Sequence, residues 1–146
     1  MKFKLNTLFG TRNGSKVEEP DHDEQIIKDI INDVDGDVFG VSKRNVLYAK
    51  TSELGGYFYV IALIIGDFKI KTTKGATLNI QGENLNLLLK TDMDEFESDA
   101  SDVAKRYVTR IDFQIEKEDV SKFDKTLIKT LQLSAKKKEI VFNTID

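Results

Sequence analysis

Glycines, carboxylates and one histidine fall at several points of this chain in an order close to that of a ligand site. The run Gly10-Thr11-Arg12-Asn13-Gly14-Ser15-Lys16 is close to a phosphate cradle, in which backbone N–H groups and a lysine hold a polyphosphate. That chemistry needs four residues between the glycines, with Lys and then Ser or Thr directly after the second. Here three residues intervene, Ser15 precedes Lys16, and Glu18 and Glu19 follow where they would repel phosphate. The run reads as a loop. Asp33, Asp35 and Asp37 alternate as at the start of a calcium loop, which wants glycine sixth and glutamate twelfth. Counted from Asp33, Gly36 is fourth and the twelfth residue is Arg44, so the stretch reads as a helix stop and turn and no metal is assigned. His22 stands between Asp21 and Asp23, a setting for a general base, but no nucleophile pattern accompanies it. No catalytic residue and no cofactor is expected.

Carboxylates are densest between residues 92 and 102, where Asp92, Asp94, Glu95, Glu97 and Asp99 surround Phe96. Long connections on a β scaffold are where function is often carried, and Phe96 has no evident core position. These six residues are the candidate surface for a basic protein partner; the bland reading is a solvated loop. Lys69, Lys71 and Lys74, with Lys90, form a basic stripe, and Lys136, Lys137 and Lys138 a second. Either could meet an anion, but keeping a sheet edge soluble explains both.

The elements that hold these groups are mostly strands. Residues 57–65, Tyr-Phe-Tyr-Val-Ile-Ala-Leu-Ile-Ile, are bounded by Gly55, Gly56 and Gly66. The run is short of the ~20 apolar residues of a membrane helix. It is β-branched and aromatic, and reads as a strand buried on both faces. Phe68 and Ile70, alternating with Lys69 and Lys71, read as its one-sided continuation. Turns at 73–76 and 81–84 separate strands at 77–80 and 85–90. Residues 107–115 alternate cleanly, with Tyr107, Thr109, Ile111, Phe113 and Ile115 on one face. One helical turn is expected at 118–123, then strands at 126–134 and 139–145. Ahead of the strands, an amphipathic helix is expected over about 21–35. Pro20 and the pair Asp21 and Glu24 suit its start, and Ile26, Ile27, Ile30, Ile31 and Val34 form one stripe. The fold class is mainly β, an antiparallel sandwich or barrel with one N-terminal helix; α+β is the alternative.

Composition bounds the rest. The 146 residues suit a single domain, with 11–19 a flexible arm or loop. Net charge is −3, and 18 lysines against 4 arginines give no case for nucleic acid. There is no cysteine, hence no disulfide, thiolate site or thiol nucleophile. Lys4 and Asn6 interrupt the apolar stretch a signal peptide would need, so no membrane association is expected and the cytoplasm is the expected compartment.

The order of elements over residues 57–145 resembles that of small uncharacterised bacterial β-domain proteins, in which a helical turn precedes a final hairpin. It is carried by 57–65, Gly75-Ala76-Thr77-Leu78-Asn79-Ile80, 113–123 and Ile140-Val141-Phe142. Members of that group are commonly exported, and the resemblance supplies no functional residues. Two functions are expected on the residues themselves. The first is a non-enzymatic protein-interaction module. It would self-associate as a homodimer through an uncovered strand or part of the 57–65 face, or bind a partner protein as an inhibitor or immunity-type protein does. The second is a carrier of a small apolar ligand or lipid in a barrel lined by Tyr57, Phe58, Tyr59, Phe68 and Phe113.

Overall fold

Alternating inward and outward side chains force the long strands to bury one face, and bending the sheet until its ends meet does so without leaving an edge. The computed structural model describes residues 23–101 and 106–145. The readings made on Gly10 through Lys16, Pro20, Asp21, His22 and residue 102 therefore lie outside the described residues.

Helix α1 (Glu24–Asp33) precedes β1 (Val38–Ser42), β2 (Asn45–Leu54), β3 (Tyr57–Gly66), β4 (Lys71–Thr72), β5 (Thr77–Gly82) and β6 (Leu85–Thr91). There follow β7 (Phe96–Glu97), β8 (Asp99–Ala100), β9 (Tyr107–Ile115), a 3-10 helix (Lys117–Lys122), β10 (Thr130–Ala135) and β11 (Lys138–Thr144). Eight of these strands close an antiparallel barrel in the order β1-β2-β3-β9-β6-β5-β10-β11, with β11 pairing back to β1. Of the two expected architectures the barrel is the one formed.

The interior is filled by side chains from every wall. Val60, Ala62 and Ile64 of β3 meet Ile111, Phe113 and Ile115 of β9, with Leu78, Ile80, Leu131, Leu133 and Phe142 opposite. Phe113 and Phe142 are both fully buried. One end is closed by the 3-10 helix and the chain after it. Phe123 stacks on Phe39 with ring centroids 4.7 Å apart, and Ile128 is buried.

The other end is closed by the chain between β3 and β5, and here the structure departs from expectation. Phe68 and Ile70 do not continue β3 as a one-sided strand; both are buried over the barrel mouth. The cause is local. Gly66 has φ of +154°, and a Cβ there would lie 2.2 Å from the Arg44 carbonyl oxygen, so the strand breaks where only glycine fits. Buried Asn45 fixes the new direction, its Oδ1 accepting from Phe68 N at 2.8 Å and its Nδ2 donating to Asp67 at 3.1 Å. A second difference lies ahead of β10, where residues 125–127 form a turn in which Thr126 donates to the Asp124 carboxylate, so β10 begins only at Thr130.

Helix α1 lies on the outside of the barrel. Asp23 is its N-cap, accepting from Ile26 N at 3.3 Å, and Ile27 and Ile30 pack on Val41, Val46, Tyr48 and Ile65. The helix ends where Val34 takes up extended geometry, and Tyr48 Oη donates to the Val34 carbonyl at 3.2 Å.

Candidate interaction surface

The length of α1 determines what it leaves uncovered. Ten helical residues span about 15 Å, while ten strand residues span about 33 Å. The outward face of β3 carries Tyr57, Tyr59, Ile61, Leu63 and Ile65, and every one of them is apolar or aromatic. The helix buries Ile65 and packs against Leu63. Beyond it Tyr59 and Ile61 are only half-buried, Tyr57 is 65% exposed, and its cross-strand neighbour Leu54 is 73% exposed. This corrects the expectation that 57–65 is buried on both faces; both faces are covered only toward its Gly66 end.

Where the strip meets the end of α1 it widens into an open cleft of about 430 Å³, floored by Tyr48, Ile61 and Leu63. Lys50 on β2 and Arg110 on β9 flank β3 from opposite sides, beside Ile61 and Leu63, and Asp35 and Asp37 add carboxylates from the chain after α1. Arg110 holds Asp112 through two contacts of 3.0 and 3.3 Å, and this pairing raises the arginine's pKa. Burial pushes the Tyr48 phenol up to about 12; nearby Arg106 opposes the shift and Asp35 adds to it. Tyr48 is therefore a neutral hydrogen-bond donor at any physiological pH. The cleft has an apolar floor and charges of both signs, and among the described residues no three metal-ligating side chains converge. Such an arrangement can bury an apolar side chain and orient it with charge, which is binding chemistry.

The acidic candidates form a different object. Asp92, Asp94, Glu95, Glu97 and Asp99 are exposed, but Phe96 is 9% exposed and belongs to the core. The loop is a plug: β7 pairs with β4, setting Glu97 opposite Lys71, and Ser98 Oγ accepts from Ile70 N at 2.9 Å while lying 2.6 Å from Thr109 Oγ1. The expected pairing of Phe96 with its carboxylates on one outer surface is not what the fold makes. The aromatic set is likewise divided. Tyr57 and Tyr59 point outward, Phe58 and Phe113 lie on the inward face, and Phe68 sits over the barrel mouth.

The two lysine stripes do come together, since Lys136 Nζ and Lys138 Nζ donate to the carbonyls of Lys71 and Lys69. Lys69 Nζ lies 5.2 Å from the Tyr107 ring centroid, while Lys90 lies apart on the outer face of β6. Ile61 and Leu63 entered the sequence reading only within the 57–65 face offered for self-association, and Leu54 across the hairpin did not enter it as an interaction residue. The signal for the first two was present: a run with no polar residue at alternate positions needs cover on both faces, and one short helix cannot supply it. Asp33, read as part of a helix stop, pairs with Arg106 at 3.1 Å. Among the described residues no helix is long and apolar enough to cross a membrane. Comparison with protein-family models, with curated proteins and with solved structures finds no match.

Proposed function

We propose that this chain is a non-enzymatic protein-interaction module that holds a partner protein against the outer face of β3. One observation carries the reading: an apolar strip runs from the end of α1 to the β2–β3 hairpin tip, and no element of the described chain covers it. Its make-up is that of an interaction hot spot, with aromatic and aliphatic side chains at the centre and charged groups at the rim. Tyr57 alone, at 65% exposed, offers roughly 100–150 Å² to a partner. The partner it fits presents an apolar segment laid along β3 beyond α1, with charges that answer Lys50 on the β2 side, Arg110 on the β9 side and the carboxylates of Asp35 and Asp37.

The test is quantitative affinity capture with the wild-type chain and with the double variant Y57K/I61E. Both substitutions sit on the solvent side, so thermal unfolding should confirm an intact barrel. A partner retained by the wild type should be lost, with affinity reduced about 30-fold or more, as for hot-spot residues. Equal retention by both proteins, or no protein retained by the wild type, would sink the assignment of this strip.

A further inference from the structure

The wall opposite β3 carries a pattern of its own. On the outer face of β6-β5-β10-β11, cross-strand register sets Leu88, Asn79, Gln132 and Val141 in one row. Leu88 is 61% exposed and Val141 43%, so the row reads apolar, amide, amide, apolar. The next row toward the lysine end begins with Lys90 on β6 and ends with Glu139 on β11, with hydroxyls between them. Both charged residues are exposed, and three strand spacings, about 14 Å, separate them within one chain. Among the described residues neither has an ion-pair partner within the chain; Glu139 accepts only from Gln132 at 3.2 Å.

We infer that this face is a self-association surface whose occupant is a second copy of the chain, related by a two-fold axis lying along the boundary between β5 and β10. Such an axis keeps each residue in its row and exchanges left for right. Leu88 then meets Val141 of the second copy, Asn79 meets Gln132, and Lys90 meets Glu139, each contact occurring twice. Apolar falls on apolar, amide on amide and cation on anion, and the charge complementarity selects this axis over one running across the strands, which would set Lys90 against Asn86. The face spans four strands and three rows, roughly 300–400 Å² per copy, below the size of a permanent interface. The dimer is therefore weak and reversible. Because the face is opposite β3, it leaves both β3 strips free and makes the module bivalent, multiplying partner binding by avidity.

Sedimentation velocity of the full chain, over a series reaching high micromolar concentration, tests this. The wild type should show a reversible monomer–dimer equilibrium. K90E and E139K alone each place like charges together twice and should weaken association at least about tenfold. Mixing K90E with E139K restores both opposite-charge contacts across a heterodimer, which should form with about wild-type strength. A wild type that stays monomeric, single variants that associate unchanged, or a mixture that remains monomeric would each overturn the proposal. Lys90 lies two strands from Tyr59 through Gln114, but Tyr57 and Ile61 themselves belong to none of the paired rows, so Y57K/I61E should leave the dimer intact, and failure here and failure of the partner-binding strip are read separately.

Discussion

Tyr48 joins the barrel to its helix, and its titration reports on that junction. Its ring lies beneath α1, 6% exposed, and its hydroxyl donates to the Val34 carbonyl at 3.2 Å. Replacing Tyr48 by Phe removes a neutral hydrogen bond, which at neutral pH should cost about 1 kcal/mol. At alkaline pH the sign reverses. The folded protein keeps the phenol proton until about pH 12, whereas the unfolded chain releases it near the ordinary value of 10.0. Between those values the unfolded state binds fewer protons, so stability falls as pH rises, by up to about 1.4 kcal/mol per pH unit. The full effect by pH 12 is at most about 2–3 kcal/mol, and below pH 10 the contribution is wholly present. The wild type should therefore begin about 1 kcal/mol more stable than Y48F, meet it near pH 11, and become the less stable of the two above that. Urea unfolding of both proteins at half-unit steps from pH 8 to about pH 12 measures the difference, and lysines and other tyrosines cancel in it. Parallel stability curves, with no crossing, would show that Tyr48 is not buried as described and that α1 does not seal this wall.

Two further outcomes test the closed end of the barrel. Gly66→Ala would drive a Cβ to 2.2 Å from the Arg44 carbonyl, and it should lower stability by about 2 kcal/mol or more, seen as a lower urea midpoint. Phe96→Ala should cost about 3–5 kcal/mol as a core deletion, whereas Glu95→Lys in the same loop should change stability by no more than about 0.5 kcal/mol. Similar small effects from both would return Phe96 to the surface.

Local pattern carries much of this protein. The alternation over 107–115 specifies β9 and its inward face because a strand's side chains repeat every two residues, whatever their neighbours are. The isoleucine stripe specifies a helix with one buried face, and Gly55-Gly56 specify the hairpin between β2 and β3. Even the wall opposite β3 leaves a trace, since Leu87-Leu88-Leu89 and Ile140-Val141-Phe142 each set a third apolar residue where alternation calls for a polar one.

Pairing between distant strands is another matter. Nothing local tells that Lys90 and Glu139 end one row, because that register passes through β5 and β10 and depends on barrel closure. Nor does the acidic loop announce that Phe96 will turn inward, since the space it fills exists only once β3 has stopped at Gly66 and the chain has folded across the mouth. Short-range periodicity selects strand and face. Excluded volume and long-range hydrogen bonding select neighbours, and in this chain the neighbours place the exposed apolar strip and the self-complementary wall on opposite sides of one barrel.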